Sequence, residues 1–88
     1  MVKTFVYAKT DGTVAKRTVF VMAEDSNYIR GLDFAHLSED EQKRVQTNLA
    51  NHKVADTVTF GKGDGHKIEG FDDAWKGAFR TFKKENIR

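Results

Sequence analysis

Three stretches of the chain interleave basic with aromatic residues: Lys16-Arg17-Thr18-Val19-Phe20, Asn27-Tyr28-Ile29-Arg30-Gly31 and Phe79-Arg80-Thr81-Phe82-Lys83-Lys84. Arg and Lys neutralise phosphates, and aromatic rings stack on bases. Small β-barrels combine the two to hold single-stranded nucleic acid. Tyr28 with Arg30, and Phe82 with Arg80 and Lys84, have the spacing for this on a strand, where alternate residues share a face. The plainer reading makes Phe20, Tyr28 and Phe82 core, with the basic residues framing its edge. For each Phe burial is the better reading; for Tyr28 and Arg80 both readings stay open.

Other chemistry is less well supported. Gly61, Gly63 and Gly65 give G-x-G-x-G, with His66 where a dinucleotide fingerprint needs its third glycine, and no P-loop run occurs. The stretch reads as a hairpin loop turning at Asp64-Gly65. His36, His52 and His66 do not pair at metal-ligand spacing. Asp64, His66 and Glu69 could crowd an ion, but such loops are common without one, so no metal and no cofactor are expected. Asp72-Asp73 precede Trp75 at cap spacing, which suits a turn better than acid–base work. With no Ser-His-Asp arrangement either, the chain is expected not to be an enzyme.

Composition fits a small binding domain. A chain of 88 residues forms one domain that buries roughly 60% of its unfolded surface. It has no cysteine, hence no disulfide and no thiolate site. Met1–Lys9 lacks the apolar core of a signal peptide, and no run approaches a membrane span, so a soluble, cytoplasmic protein is expected. The formal charge is +2, unevenly placed. Lys3, Lys9, Lys16 and Arg17 lie at one end of the sequence and Lys76, Arg80, Lys83, Lys84 and Arg88 at the other. Acids fill the middle. If the two basic ends meet in space, one face of the molecule becomes positive; otherwise these are ordinary solvated charges.

The elements that would position these residues follow from pattern. Val2–Lys9 and Lys16–Met22 flank an Asp11-Gly12 turn and form a hairpin. In the return strand Thr18, Phe20 and Met22 face one way and Arg17, Val19 and Val21 the other, so both sides are expected to be covered. Tyr28–Phe34 is a third strand, with a bend or bulge at Gly31. Ser38 and Glu41 make a capping box for a helix over about 38–50, whose narrow Val45/Leu49 stripe places it on the surface. Residues 53–60 and the short run Ile68–Phe71 form a second hairpin. The tail is ambiguous: Trp75, Phe79 and Phe82 at i, i+4 and i+7 fit a helix, whereas 78–84 also reads as a strand.

Three motifs resolve that ambiguity by resemblance. "KTDGTVAKRTVF", "NYIRGLDF" and "FRTFKKENI" occur in the order and spacing of WYL-type domains, and the chain most resembles their short stand-alone relatives in bacteriophages. Asn27-Tyr28-Ile29 stands where that family has Trp-Tyr-Leu. Arg80, Phe82 and Ile87 match its closing R-x-F-x-x-x-x-I strand, and Arg17 matches an arginine of the second strand. Asn27 replaces the Trp, and Asn86 stands where an arginine is expected. The resemblance covers the first third and the last ten residues; about 36–74 reads as a helix–hairpin insertion. It implies an α+β, mainly β fold: a small SH3/Sm-like barrel of about five strands, residues 1–88, with one inserted helix. The tail becomes a turn through Trp75–Gly77 and a closing strand over 78–84. The function implied is non-catalytic, that of a phage-type accessory regulator in the host bacterial cytoplasm. It would contact nucleic acid or a nucleotide through Arg17, Tyr28, Arg30, Arg80, Lys83 and Lys84. The alternative is a protein–protein module that modulates a host enzyme or transcription machinery through the acidic helix start "SEDEQ" and the inserted hairpin. Homo-oligomers could form through strand edges.

Overall fold

The structure, a computed structural model, describes residues 1–55 and 68–88. Four strands, β1 (Val2–Ala8), β2 (Val14–Glu24), β3 (Tyr28–Asp33) and β4 (Phe79–Lys83), form an antiparallel open sheet in the order β1-β2-β3-β4. One helix, α1 (Glu39–Asn48), and short 3-10 turns at Phe34–His36, Asp73–Ala78 and Lys84–Asn86 complete the described architecture. Among the described residues no helix is long and apolar enough to cross a membrane.

The first hairpin turns where the sequence places it. Gly12 adopts φ +88°, a conformation that costs glycine little. The Asp11 carboxylate accepts from the Thr13 amide at 2.9 Å and the Thr13 hydroxyl at 2.6 Å. Opposite β3, β2 carries a bulge between Val21 and Ala23. Gly31 faces it, and a Cβ there would run into the Phe20 carbonyl. The bend expected at Gly31 is therefore a close approach of two backbones around the bulge of the neighbouring strand.

Both faces of β2 are covered, as its alternation requires. On one side Phe20, Met22 and Leu32 pack with Leu37, Val45, Leu49, Trp75 and Ala78. On the other, Val19, Val21, Ile29 and Phe82 pack with Phe5, Tyr7 and Ile87. The rings of Phe5 and Tyr7 meet that of Phe82 edge-on at centroid distances of 5.3 and 5.1 Å, a favoured aromatic geometry.

The capping box of α1 is present: the Ser38 hydroxyl accepts from the Glu41 amide at 3.2 Å, and the Glu41 carboxylate accepts from the Ser38 amide at 3.0 Å. The helix ends at Asn48 with Leu49 as its C-cap, short of Asn51. It lies on the surface, yet its stripe does more than expected, because Val45 and Leu49 are fully buried members of the larger core.

The tail is a turn and a strand. Asp72 caps the 3-10 turn, its carboxylate accepting from the Ala74 amide at 2.9 Å. Phe79 and Phe82 then enter opposite cores. The chain end returns to β1 through a single bridge between Tyr7 and Ile87 and a hydrogen bond from the Arg88 amide to the Val6 carbonyl at 2.8 Å.

The second hairpin needs correction. Ala55 forms a parallel bridge with Ala23, and 56–67, including the glycine-rich loop, lie outside the described residues. Ile68–Phe71 is a turn rather than a strand, closed by the Phe71 amide donating to the Ile68 carbonyl at 3.0 Å. Gly70 sets it: φ is +88°, and a Cβ would come within 2.7 Å of the Asn48 carbonyl oxygen.

Candidate nucleic-acid and nucleotide interface

Strand pairing sorts the six basic and aromatic residues. Tyr28 pairs directly with Lys83, and Arg30 with Thr81. Residues two apart share a face, so Tyr28, Arg30, Thr81 and Lys83 form one cross-strand quartet on the β3–β4 ribbon. The next pair along that face, Leu32 and Phe79, belongs to the larger core. The ribbon thus passes from apolar packing to a basic, aromatic surface within a few residues. Directly opposed side chains are roughly 5 Å apart at Cβ and diagonal ones roughly 7–8 Å, close enough for one ligand to span the quartet.

Within the quartet Arg30 stands out. Its side chain is half-buried, its Nε is shielded from solvent without a hydrogen-bond partner, and among the described residues it makes no ion pair. A donor shielded from water and left without an acceptor is costly. The Lys83 ammonium is exposed and has no carboxylate among the described residues. At the Tyr28 end a half-open concavity of about 490 Å³ is lined by Ser26, Asn27, Tyr28, Lys83, Lys84 and Glu85. The Asp25 carboxylate shapes its floor by accepting from the amides of Asn27 and Tyr28 at 2.7 and 2.8 Å. The Lys84 amide donates to the Asn27 carbonyl at 2.8 Å and ties the two walls together.

The remaining cations are placed elsewhere. Arg17 lies on the opposite face and donates to the buried Asp33 carboxylate at 3.2 Å. Arg80, also on that face, is exposed and donates to the carbonyls of Gly77 and Phe79. Neither joins the quartet. Phe82 is buried, as the plainer reading of each Phe has it. Lys84 lines the concavity, but its Nζ also sits 2.7 Å from a Glu24 carboxylate oxygen. Lys3, at the start of β1, binds both oxygens of Glu24 at 2.8 and 3.1 Å. The two basic ends of the sequence do meet, with a carboxylate between them. The hydrogen bonds from Lys3 and then Lys84 hold the Glu24 carboxyl below its ordinary value near 4.5.

Sequence reasoning missed Glu24, Ser26, Asn27 and Glu85. Glu24 and Lys84 are far apart in the chain, and no local pattern links them. Ser26 and Asn27 had a signal: a polar turn immediately before a candidate Tyr lines whatever that Tyr faces. Asp64 and His66 lie outside the described residues, so their proposed grouping with Glu69 falls there too. Compared with known proteins, the chain matches no family model, no curated protein and no solved structure.

Proposed function

We propose that this chain is a non-catalytic binding domain that holds single-stranded nucleic acid or a nucleotide on the β3–β4 face. The observation that carries this reading is Arg30, a half-buried side chain whose shielded Nε has no partner and which meets no carboxylate among the described residues, set beside Lys83, unpaired among those residues, and the ring of Tyr28. A phosphate satisfies Arg30, a second phosphate takes Lys83, and a base stacks on Tyr28 between them. Arg17 and Arg80 are removed from the ligand-binding set, and Thr81, Ser26 and Asn27 are added.

The same reading extends the fold and the resemblance. The Tyr7–Ile87 bridge and the Phe5–Tyr7–Phe82 contacts bring β1 toward β4, which supports a sheet curling toward an SH3/Sm-like barrel. With the three motifs, this supports a WYL-like accessory regulator of the phage type.

A salt titration with short single-stranded DNA and RNA tests the function. With two or three phosphates neutralised on a single strand, log K falls against log salt with a slope of about −1.4 to −2.1. Absence of binding to either polymer at low salt overturns the reading. The competing protein–protein role draws on Glu39 and Asp40, which α1 exposes. It would show as a partner retained from bacterial lysate after nuclease treatment.

A further inference from the structure

Lys84 occupies two positions in the electrostatics of the molecule. It lines the concavity beside Tyr28 and Lys83, and its Nζ is 2.7 Å from Glu24. Glu24 itself does not line the concavity. Its carboxylate is held on both oxygens by Lys3, so Lys3, Glu24 and Lys84 form a triad with one net positive charge. Lys84 side-chain exposure is 32% and that of Glu24 is 20%, so the pair is partly sheltered, and its Lys84 end lines the concavity.

We propose that Glu24 is an internal counter-ion that occupies Lys84 until a phosphate displaces it, so that Glu24 sets the affinity of the Tyr28 concavity for anionic ligands. This rests on the function proposed above and adds its regulation. A phosphate entering beside Lys83 competes with the carboxylate for the Lys84 ammonium. Lys3 makes the exchange feasible, because Glu24 keeps both of its hydrogen bonds to Lys3 when Lys84 leaves and is never left without a counter-charge. Glu85, also on the wall of the concavity, adds a second negative charge that disfavours a loosely placed anion.

Glu24 could instead act as a positioning residue that holds Lys84 ready for ligand. The two roles differ in sign. Removing a negative charge a few ångströms from a bound phosphate relieves repulsion in a medium of low effective dielectric. Losing the order of one lysine side chain costs less. Counter-ion exchange therefore calls for tighter binding when the carboxylate is removed.

The experiment measures binding of a short fluorescent single-stranded oligonucleotide to wild type, Glu24→Gln, Lys84→Met and the double variant across a salt series. Exchange is supported by Glu24→Gln binding about tenfold tighter at low salt. The salt slope of Glu24→Gln should stay near that of wild type, because Lys84 meets a phosphate in both complexes, whereas Lys84→Met should flatten it by about 0.7 for one lost phosphate contact on a single strand. A merely structural role of Lys84 would leave the slope of Lys84→Met unchanged. In the Lys84→Met background the Glu24→Gln effect should vanish, since the two act through one contact. Equal or weaker binding by Glu24→Gln, or an unchanged slope in Lys84→Met, overturns the inference while leaving the proposed function standing. Failure of the wild type to bind at any salt overturns the function itself. Should Glu24→Gln not fold, the wild-type carboxyl of Glu24 is followed by carbon NMR with and without saturating oligonucleotide. A titration midpoint that rises on binding supports exchange, and an unchanged midpoint overturns it.

Discussion

Arg17 and Arg30 are of one type and occupy neighbouring strands, yet the structure assigns them opposite roles. Among the described residues Arg17 is the only cation on the fully buried Asp33 carboxylate. Arg17→Met is expected to destabilise the fold by about 3 kcal/mol, read from urea denaturation, and to leave oligonucleotide affinity unchanged. Arg30 makes no ion pair among the described residues. Arg30→Met removes a half-desolvated charge and keeps most of the side-chain volume, so stability is expected to hold or rise, while affinity falls about tenfold for one lost charge-assisted contact. A large stability loss in Arg30→Met would reveal an internal anion and remove the basis for the site. The alternation of basic and aromatic residues made both arginines visible in the sequence. It could not show that one of them meets Asp33, because cross-strand partners are fixed by register rather than by local spacing.

Among the elements, those written in local chemistry were legible. The Asp11-Gly12 turn and the Ser38–Glu41 capping box each depend on residues a few positions apart. Ser38→Ala should cost about 1 kcal/mol, seen as a lower thermal midpoint. The tail was not legible from periodicity, because Trp75, Phe79 and Phe82 satisfy a helix pattern. The deciding fact is tertiary: Phe79 and Phe82 must enter cores on opposite sides of the sheet. Residues an odd number apart do so on a strand, whereas on a helix three-residue neighbours share a face. Phe82→Ala is accordingly expected to cost about 3–5 kcal/mol, since it removes the ring that both Phe5 and Tyr7 contact. The turn at Ile68–Phe71 was misread as a strand because its cause, the close approach of Gly70 to Asn48, joins segments distant in sequence.

At the scale of the molecule, the uneven charge distribution noted in the sequence becomes a clasp. Lys3 before the sheet centre and Lys84 after β4 both close on Glu24 at the end of β2. The folded-state pKa of Glu24 lies below its ordinary value near 4.5. Its contribution to stability is therefore complete above that ordinary value and is lost as pH falls through the depressed one. Thermal melts taken from neutral pH into the acid range should show a steeper acid loss in wild type than in Glu24→Gln. Asp72, held low by the Ala74 amide and then by Arg44, leaves some acid sensitivity in both. An unchanged acid limb in Glu24→Gln would mean that the clasp contributes nothing in solution. The central claim, that the β3–β4 ribbon is the ligand face, is tested most directly by amide and side-chain chemical-shift mapping on addition of a short single-stranded oligonucleotide. The account expects perturbations at Tyr28, Arg30, Thr81, Lys83 and Lys84, with Arg17 and Arg80 silent. Perturbations centred on Arg17 and Arg80, or on the exposed start of α1, would contradict it.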